Sequence, residues 1–183
     1  MTYYGAKELA DSFRTVRKNT ILIAEDIPEE KYGYRAAPET RSVSELLVHL
    51  ALVPGMQQLI HGKERRSTME GFDFPKIFGE MSAKEKEIQS KAQVIDLLRK
   101  EGDRYASWLE GVTEESLGER VTFPPGMTPA SKTRFEMILG TKEHEMHHRG
   151  QLMLIERQLG IVPHLTRDMQ ARMAAMTQAK ATA

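Results

Sequence analysis

Glu143-His144-Glu145-Met146-His147-His148-Arg149-Gly150-Gln151 carries three of the six histidines in the chain. Apolar residues flank the run at helical spacing, Phe135 and Ile138 before it and Leu152, Ile155 and Leu159 after it. That pattern places the run in the middle of a helix. On a helix, His144 and His148 stand one turn apart on one face. Two imidazoles so spaced can hold one ion between them, and borderline metals such as zinc or nickel accept imidazole nitrogen. His147 projects roughly 100° away from His148 and is expected to stay out of such a site.

Two histidines do not make a stable site, so a third ligand must come from elsewhere. The best candidate is His49, a polar ring set in the apolar helical stretch Leu46-Leu47-Val48-His49-Leu50-Ala51. Alone, such a residue reads as a hydrogen-bonded core histidine. Beside His144 and His148 it reads as a metal ligand. His61 and His164 adjoin Gly62 and Pro163 in expected loops and are weaker candidates.

The 183 residues suffice for one domain with a real core, taken here as 1–183. The net charge of zero gives no global field toward nucleic acid or anionic membrane, and no basic cluster with interleaved aromatics offers base stacking. The chain has no cysteine, which excludes disulfides, thiolate zinc sites and a cysteine nucleophile. The start, Met1-Thr2-Tyr3-Tyr4-Gly5, has neither a basic nor an apolar leader region, and no apolar run is expected to span a membrane. These features predict a soluble cytoplasmic protein.

Helices account for most of the chain. The first is expected over Ala6–Asp26, where Leu9, Phe13, Val16, Thr20, Ile23 and Ile27 alternate steps of four and three, the seam of a bundle helix. Ser42-Val43-Ser44-Glu45 fits a capping box that opens the second. Pro54-Gly55 inside the second helix removes a hydrogen bond to the Leu50 carbonyl, and predicts either a kink beside the site or a break and restart before His61-Gly62. Lys63–Gln89 is charged and expected to be a loop around Gly71–Pro75, with a short helix capped at Ser82. A third helix is expected over Lys91–Leu109, with Trp108 packed at the bundle end. A long connection follows over 110–132, in which Phe123–Pro129 cannot be regular helix, then a fourth helix over Thr133–Leu159 closed by Gly160 and Pro163. The last, Thr166–Gln178, shows Met169, Met173 and Met176 on one face, suited to packing or subunit contact. The expected fold is all-α, an antiparallel four-helix bundle with an additional C-terminal helix. Such a bundle brings His49 against His144 and His148.

His144-Glu145-Met146-His147-His148 also matches H-E-x-x-H, the zinc-protease pattern with glutamate as general base. Its context disagrees. The extended form needs glycine at position 151 and histidine at 154, where the chain has Gln151 and Leu154. The form with a glutamate ligand needs a later helix, but the last glutamate is Glu156, on the same helix. No strand pattern supplies an edge for a peptide.

Arg35-Ala36-Ala37-Pro38-Glu39 before Arg41-Ser42-Val43-Ser44-Glu45-Leu46-Leu47-Val48-His49-Leu50, together with His144-Glu145-Met146-His147-His148-Arg149-Gly150-Gln151-Leu152, resembles the DinB superfamily of DinB/YfiT-like metalloenzymes. The family pattern is one histidine on the second helix and an H-x-x-x-H pair on the fourth, often followed by Arg-Gly-Gln. It is matched at His49, His144 and His148. Pro54-Gly55 departs from it.

The resemblance implies a divalent metal ion, zinc or nickel among the usual occupants, held by those three histidines with water or substrate in the remaining position. It implies a small-molecule substrate, including low-molecular-weight thiols such as mycothiol or bacillithiol, thiol S-transferase, isomerase or hydrolase chemistry, and a homodimer. A non-catalytic metal-binding stress or scaffold protein is the other class. Three neutral imidazoles independently leave an ion its full charge and an open position, as in catalytic sites. Glu145 reads either as a base near a metal-bound water or as a solvated helix charge. Arg149 reads as a holder of a carboxylate or an anionic substrate, or as surface. Gln151 shares the His144/His148 side and can support a ligand. Gly150 costs about 1 kcal/mol relative to alanine in a helix, which predicts a close approach there.

Overall fold

The computed structural model describes residues 4–88 and 90–181. Seven α-helices are present among them: α1 Ala6–Asp26, α2 Val43–Gln57, α3 Phe74–Glu87, α4 Lys91–Glu110, α5 Glu114–Gly118, α6 Arg134–Gln158 and α7 His164–Ala181. Helix α1 and the start of α4 fall where the sequence puts them. Gln89, the last residue of the expected Lys63–Gln89 segment, lies outside the described residues.

Helices α1, α2, α4 and α6 form the bundle, with α1 and α2 each packed between α4 and α6. One apolar layer joins the end of α1 (Ile23, Ile27), the starts of α2 (Val43, Leu47) and α4 (Val94, Leu98), and the end of α6 (Leu152, Ile155). A second joins the start of α1 (Phe13) with the end of α4 (Tyr105, Leu109) and the start of α6 (Ile138). The pairs α1/α4 and α2/α6 are therefore antiparallel, and α2/α4 run the same way. Helix α3 makes this possible: it carries the chain back along the outside of α2 so that α4 restarts from the same end.

Between the two layers lies a buried ion pair. Arg17 Nε and Nη2 donate to Glu145 Oε1 and Oε2, each at 2.9 Å, with side chains only 4% and 2% exposed. Thr20 Oγ1 adds a 2.7 Å bond to Glu145 Oε1. Two further guanidinium hydrogens go to backbone: Nη1 to the Leu98 carbonyl and Nη2 to the Leu50 carbonyl, both at 2.8 Å. Arg17 thus ties all four bundle helices together. The Leu50 carbonyl is the one that Pro54, four residues on, cannot reach with a backbone N–H. Arg17 supplies the missing donor, so α2 continues through Pro54 without a break. Gly102 leaves room for this side chain, because a Cβ there would meet Arg17 Cγ at 2.8 Å.

Past Pro54 the helix changes pitch instead of stopping. Gln58–Lys63 is π-helical, and Gly62 lets the Trp108 ring approach so closely that a Cβ would lie 2.8 Å from its Nε1. His61, expected in a loop, is buried in this π-segment. Its Nδ1 accepts from Arg134 at 3.1 Å and its Nε2 donates to Gln57 at 3.0 Å. Burial and the Arg134 charge push its pKa down to about 4. Val43–Lys63 is long and apolar enough, by length and composition, to cross a membrane, contrary to the sequence reading. Its apolar surface is used inside the bundle, where α2 meets α3, α4 and α6.

The connection before α6 contains a two-stranded antiparallel hairpin, β1 Arg120–Thr122 with β2 Ser131–Thr133. Helix α3 corrects the expected loop. Its cap is Asp73, whose Oδ1 accepts from Lys76 N at 3.0 Å, with Pro75 in the first turn. Ser82 lies inside the helix, not at its start.

Candidate metal centre

Local signals fix where each histidine sits. The Ser42/Glu45 capping box starts α2, with Glu45 N on Ser42 Oγ at 3.3 Å and Ser42 N on Glu45 Oε2 at 2.8 Å. His49 follows about two turns later. A second box, Thr133/Glu136, starts α6 and sets the phase that turns His144 and His148 toward α2.

The three rings converge on one point. His144 Nε2 lies 3.3 Å from His49 Nε2 and 3.1 Å from His148 Nε2, and all three nitrogens lie within 4.8 Å of one another. Nitrogens bound about 2.0–2.1 Å from one tetrahedral ion are spaced about 3.3 Å apart, so the cluster has the span such an ion requires. The outer nitrogens explain why the inner ones bear lone pairs. His49 Nδ1 donates to Glu85 Oε1 at 2.9 Å, and His148 Nδ1 donates to Gln151 Oε1 at 2.7 Å. A proton on the Nδ1 of His49 and of His148 leaves both of their Nε2 atoms as acceptors aimed at His144, the tautomer a metal ligand needs. Among the described residues His144 Nδ1 is buried without a partner, and the ring packs against those of His49 and His148.

Electrostatics favour the neutral form of His144 and His148, the form in which a ligand binds. Burial, followed by the charges of His148 and His49, pushes His144 down to about 4. Burial also lowers His148, against a smaller upward pull from Gln151. Burial alone would raise the Glu85 carboxyl, but hydrogen bonds from His49 and Arg41 outweigh it and hold it below the ordinary range. Arg41 Nε donates to Glu85 Oε2 at 2.8 Å, so Glu85 is shared between a ring and a guanidinium.

The sequence model of the DinB superfamily matches residues 12–152, well over half of the chain. The chain belongs to the DinB superfamily. Comparison with curated proteins gives no match. Among solved structures, this DinB-superfamily chain is similar to YfiT from Bacillus subtilis, described as "a probable metal-dependent hydrolase with an unusual four-helix bundle topology", with a TM-score of 0.68, 14% identity, and coverage of 88% of this chain and 91% of that one. It is also similar to the DinB-like protein YjoA from Bacillus subtilis, with a TM-score of 0.61, 21% identity, and coverage of 84% and 92%. The third is DfsB, a sibling lethal factor precursor, with a TM-score of 0.63, 14% identity, and coverage of 88% and 100%. At these identities the likeness is one of fold.

A cavity of about 640 Å³ opens beside the cluster, with His148, Gln151, Glu85 and Arg41 in its wall. The other residues singled out in this DinB-superfamily chain lie elsewhere. Glu145 is neither a solvated charge nor a free base: its carboxylate is committed to Arg17 and Thr20 of α1. Arg149 is half-buried toward α7, where its charge helps to lower the His164 pKa after burial, the main cause. Gly150 has no heavy atom within 4 Å of a built Cβ, so no close approach explains it. Exposed His147 stays outside the cluster, with its Nε2 3.2 Å from Gln151 Nε2. Glu85 is not singled out by the sequence, where it falls in a charged stretch at the start of the short helix expected from Ser82. Its spacing from Asp73 and Pro75, a cap and a first-turn proline, is the signal that reveals its helix.

Proposed function

We propose that this chain is a metal-dependent hydrolase of small molecules, with a divalent ion held by His49, His144 and His148. The observation that carries the reading is the convergence of three imidazole Nε2 atoms beside an open cavity. Three imidazoles leave a coordination position for water or substrate, whereas structural sites are closed by four ligands. A divalent ion bound there supplies a Lewis acid and lowers the pKa of a water or thiol in that position.

The chain's own residues do the rest. Glu85 and Gln151 fix two of the rings in the ligating tautomer, and burial keeps His144 neutral. Glu145 is occupied by Arg17, so proton removal falls to the solvent-connected cavity and not to an H-E-x-x-H base. Zinc and nickel both suit three imidazoles. With no cysteine in the chain, a thiol nucleophile must be external, and a low-molecular-weight thiol in place of water gives the S-transferase form of the same chemistry.

The test loads the protein with zinc or nickel and screens esters, amides and electrophiles, with and without small thiols, against His49→Ala. Metal-dependent turnover that disappears in the variant is expected. No turnover from fully loaded protein would replace this reading with a non-catalytic metal-binding protein.

A further inference from the structure

The wall of the cavity carries Arg35, Arg41 and Lys86 against Glu39, Glu45 and Glu85. These charges cancel, and they are not equally engaged. Arg35 engages both terminal nitrogens: Nη2 meets Glu45 at 2.7 Å and Nη1 meets the Thr40 carbonyl. Glu85 is shared between Arg41 and His49. Arg41 spends only its Nε on Glu85, and among the described residues Nη1 and Nη2 make no hydrogen bond. Its side chain is 42% exposed, and its charge is felt at both His144 and His148. Three neutral imidazoles do nothing to cancel a divalent ion, so a loaded site makes the cavity net positive.

We infer that Arg41 binds an anionic group, a carboxylate or phosphate, on the small molecule that enters this cavity, so that the substrates are anionic. A guanidinium with both terminal nitrogens to spare matches either oxyanion in a two-point contact. Leu46, Leu154 and Ile155 line the same space and give the rest of such a molecule an apolar wall. The inference rests on the metal-dependent reading for what reacts there, but not for what binds.

Calorimetric titration with succinate and with glycerol phosphate, each against its uncharged counterpart (succinamide, glycerol), tests it alongside metal analysis. Wild type is expected to prefer the anions by about tenfold or more, Arg41→Gln to lose about tenfold in anion affinity, and Arg41→Lys to fall between, as expected for loss of a charge-assisted contact. A preference for only one of the pair names the anion. Equal anion affinity in wild type and Arg41→Gln, or no preference for anions in wild type, overturns the proposal. If Arg41→Gln also sheds the metal, metal-stripped proteins decide: an Arg41-dependent preference that survives stripping upholds the anion site, and one that vanishes shows that Arg41 acts only through Glu85. Wild type that takes no metal but keeps the preference removes the hydrolase reading and leaves the anion site standing.

Discussion

Replacing Glu145 with alanine is expected to unfold the protein at a much lower temperature without emptying the metal centre. The carboxylate accepts three hydrogen bonds of 2.7–2.9 Å, two from Arg17 and one from Thr20. Without it, a guanidinium only 4% exposed keeps its charge with two backbone carbonyls as its remaining partners. Removing one partner of a buried pair costs about 3–5 kcal/mol. For a chain of this length each kcal/mol moves Tm by roughly 2–4 °C, so a fall on the order of 10 °C is expected. Thermal unfolding followed by circular dichroism, with metal content measured on the folded variant, provides the assay. Glu145→Gln keeps the shape and should lie between. If Glu145 were the base of an H-E-x-x-H site, the glutamine variant would keep its stability and lose its activity. That result, or a change below about 1 kcal/mol in the alanine variant, a surface-like value, would refute the structural role.

Other outcomes follow from the same contacts. Arg17→Met should be partly rescued by Pro54→Ala, by about 1 kcal/mol, because alanine restores the N–H that the Leu50 carbonyl lacks; urea titration of both variants reads this. Gln151→Leu and Glu85→Leu each free a ligand ring and should weaken metal binding by about 10–100-fold, measured by competition with a chelating dye. Glu156 is fully buried, neither oxygen is bonded among the described residues, and burial followed by Asp26 raises its pKa to about 7. Its unfolded pKa is the lower one, so the native state holds the proton longer. Stability is undiminished below about pH 4.5 and falls as pH rises through about 7, by on the order of 2–3 kcal/mol. Glu156→Gln should flatten that slope in urea titrations between pH 5 and 8. The exposed Met169, Met173 and Met176 face of α7 predicts a dimer by light scattering at micromolar concentration, and a monomeric mass would remove that expectation.

What the sequence disclosed was local. The four-and-three seam of α1, the Ser42/Glu45 box and the His144/His148 spacing each lie within a few turns of one helix, where periodicity and capping are visible. What it hid was pairing across the chain. Glu145 meets Arg17 across 128 positions, so neither a solvated charge nor a base foretold its burial. Pro54 reads as a breaker because the donor that rescues it comes from another helix. The α2/α4 orientation depends on α3, whose charged surface conceals its period. Gly150 remains in open space, and its presence in α6 has no structural explanation.

Metal analysis of the purified, zinc- or nickel-saturated protein tests the centre most directly. About one ion per chain is expected in wild type and in His147→Ala, and almost none in folded His49→Ala, His144→Ala or His148→Ala, as for a site of three ligands. Wild type that binds no ion, or His147→Ala losing the ion while His148→Ala keeps it, would contradict the assignment.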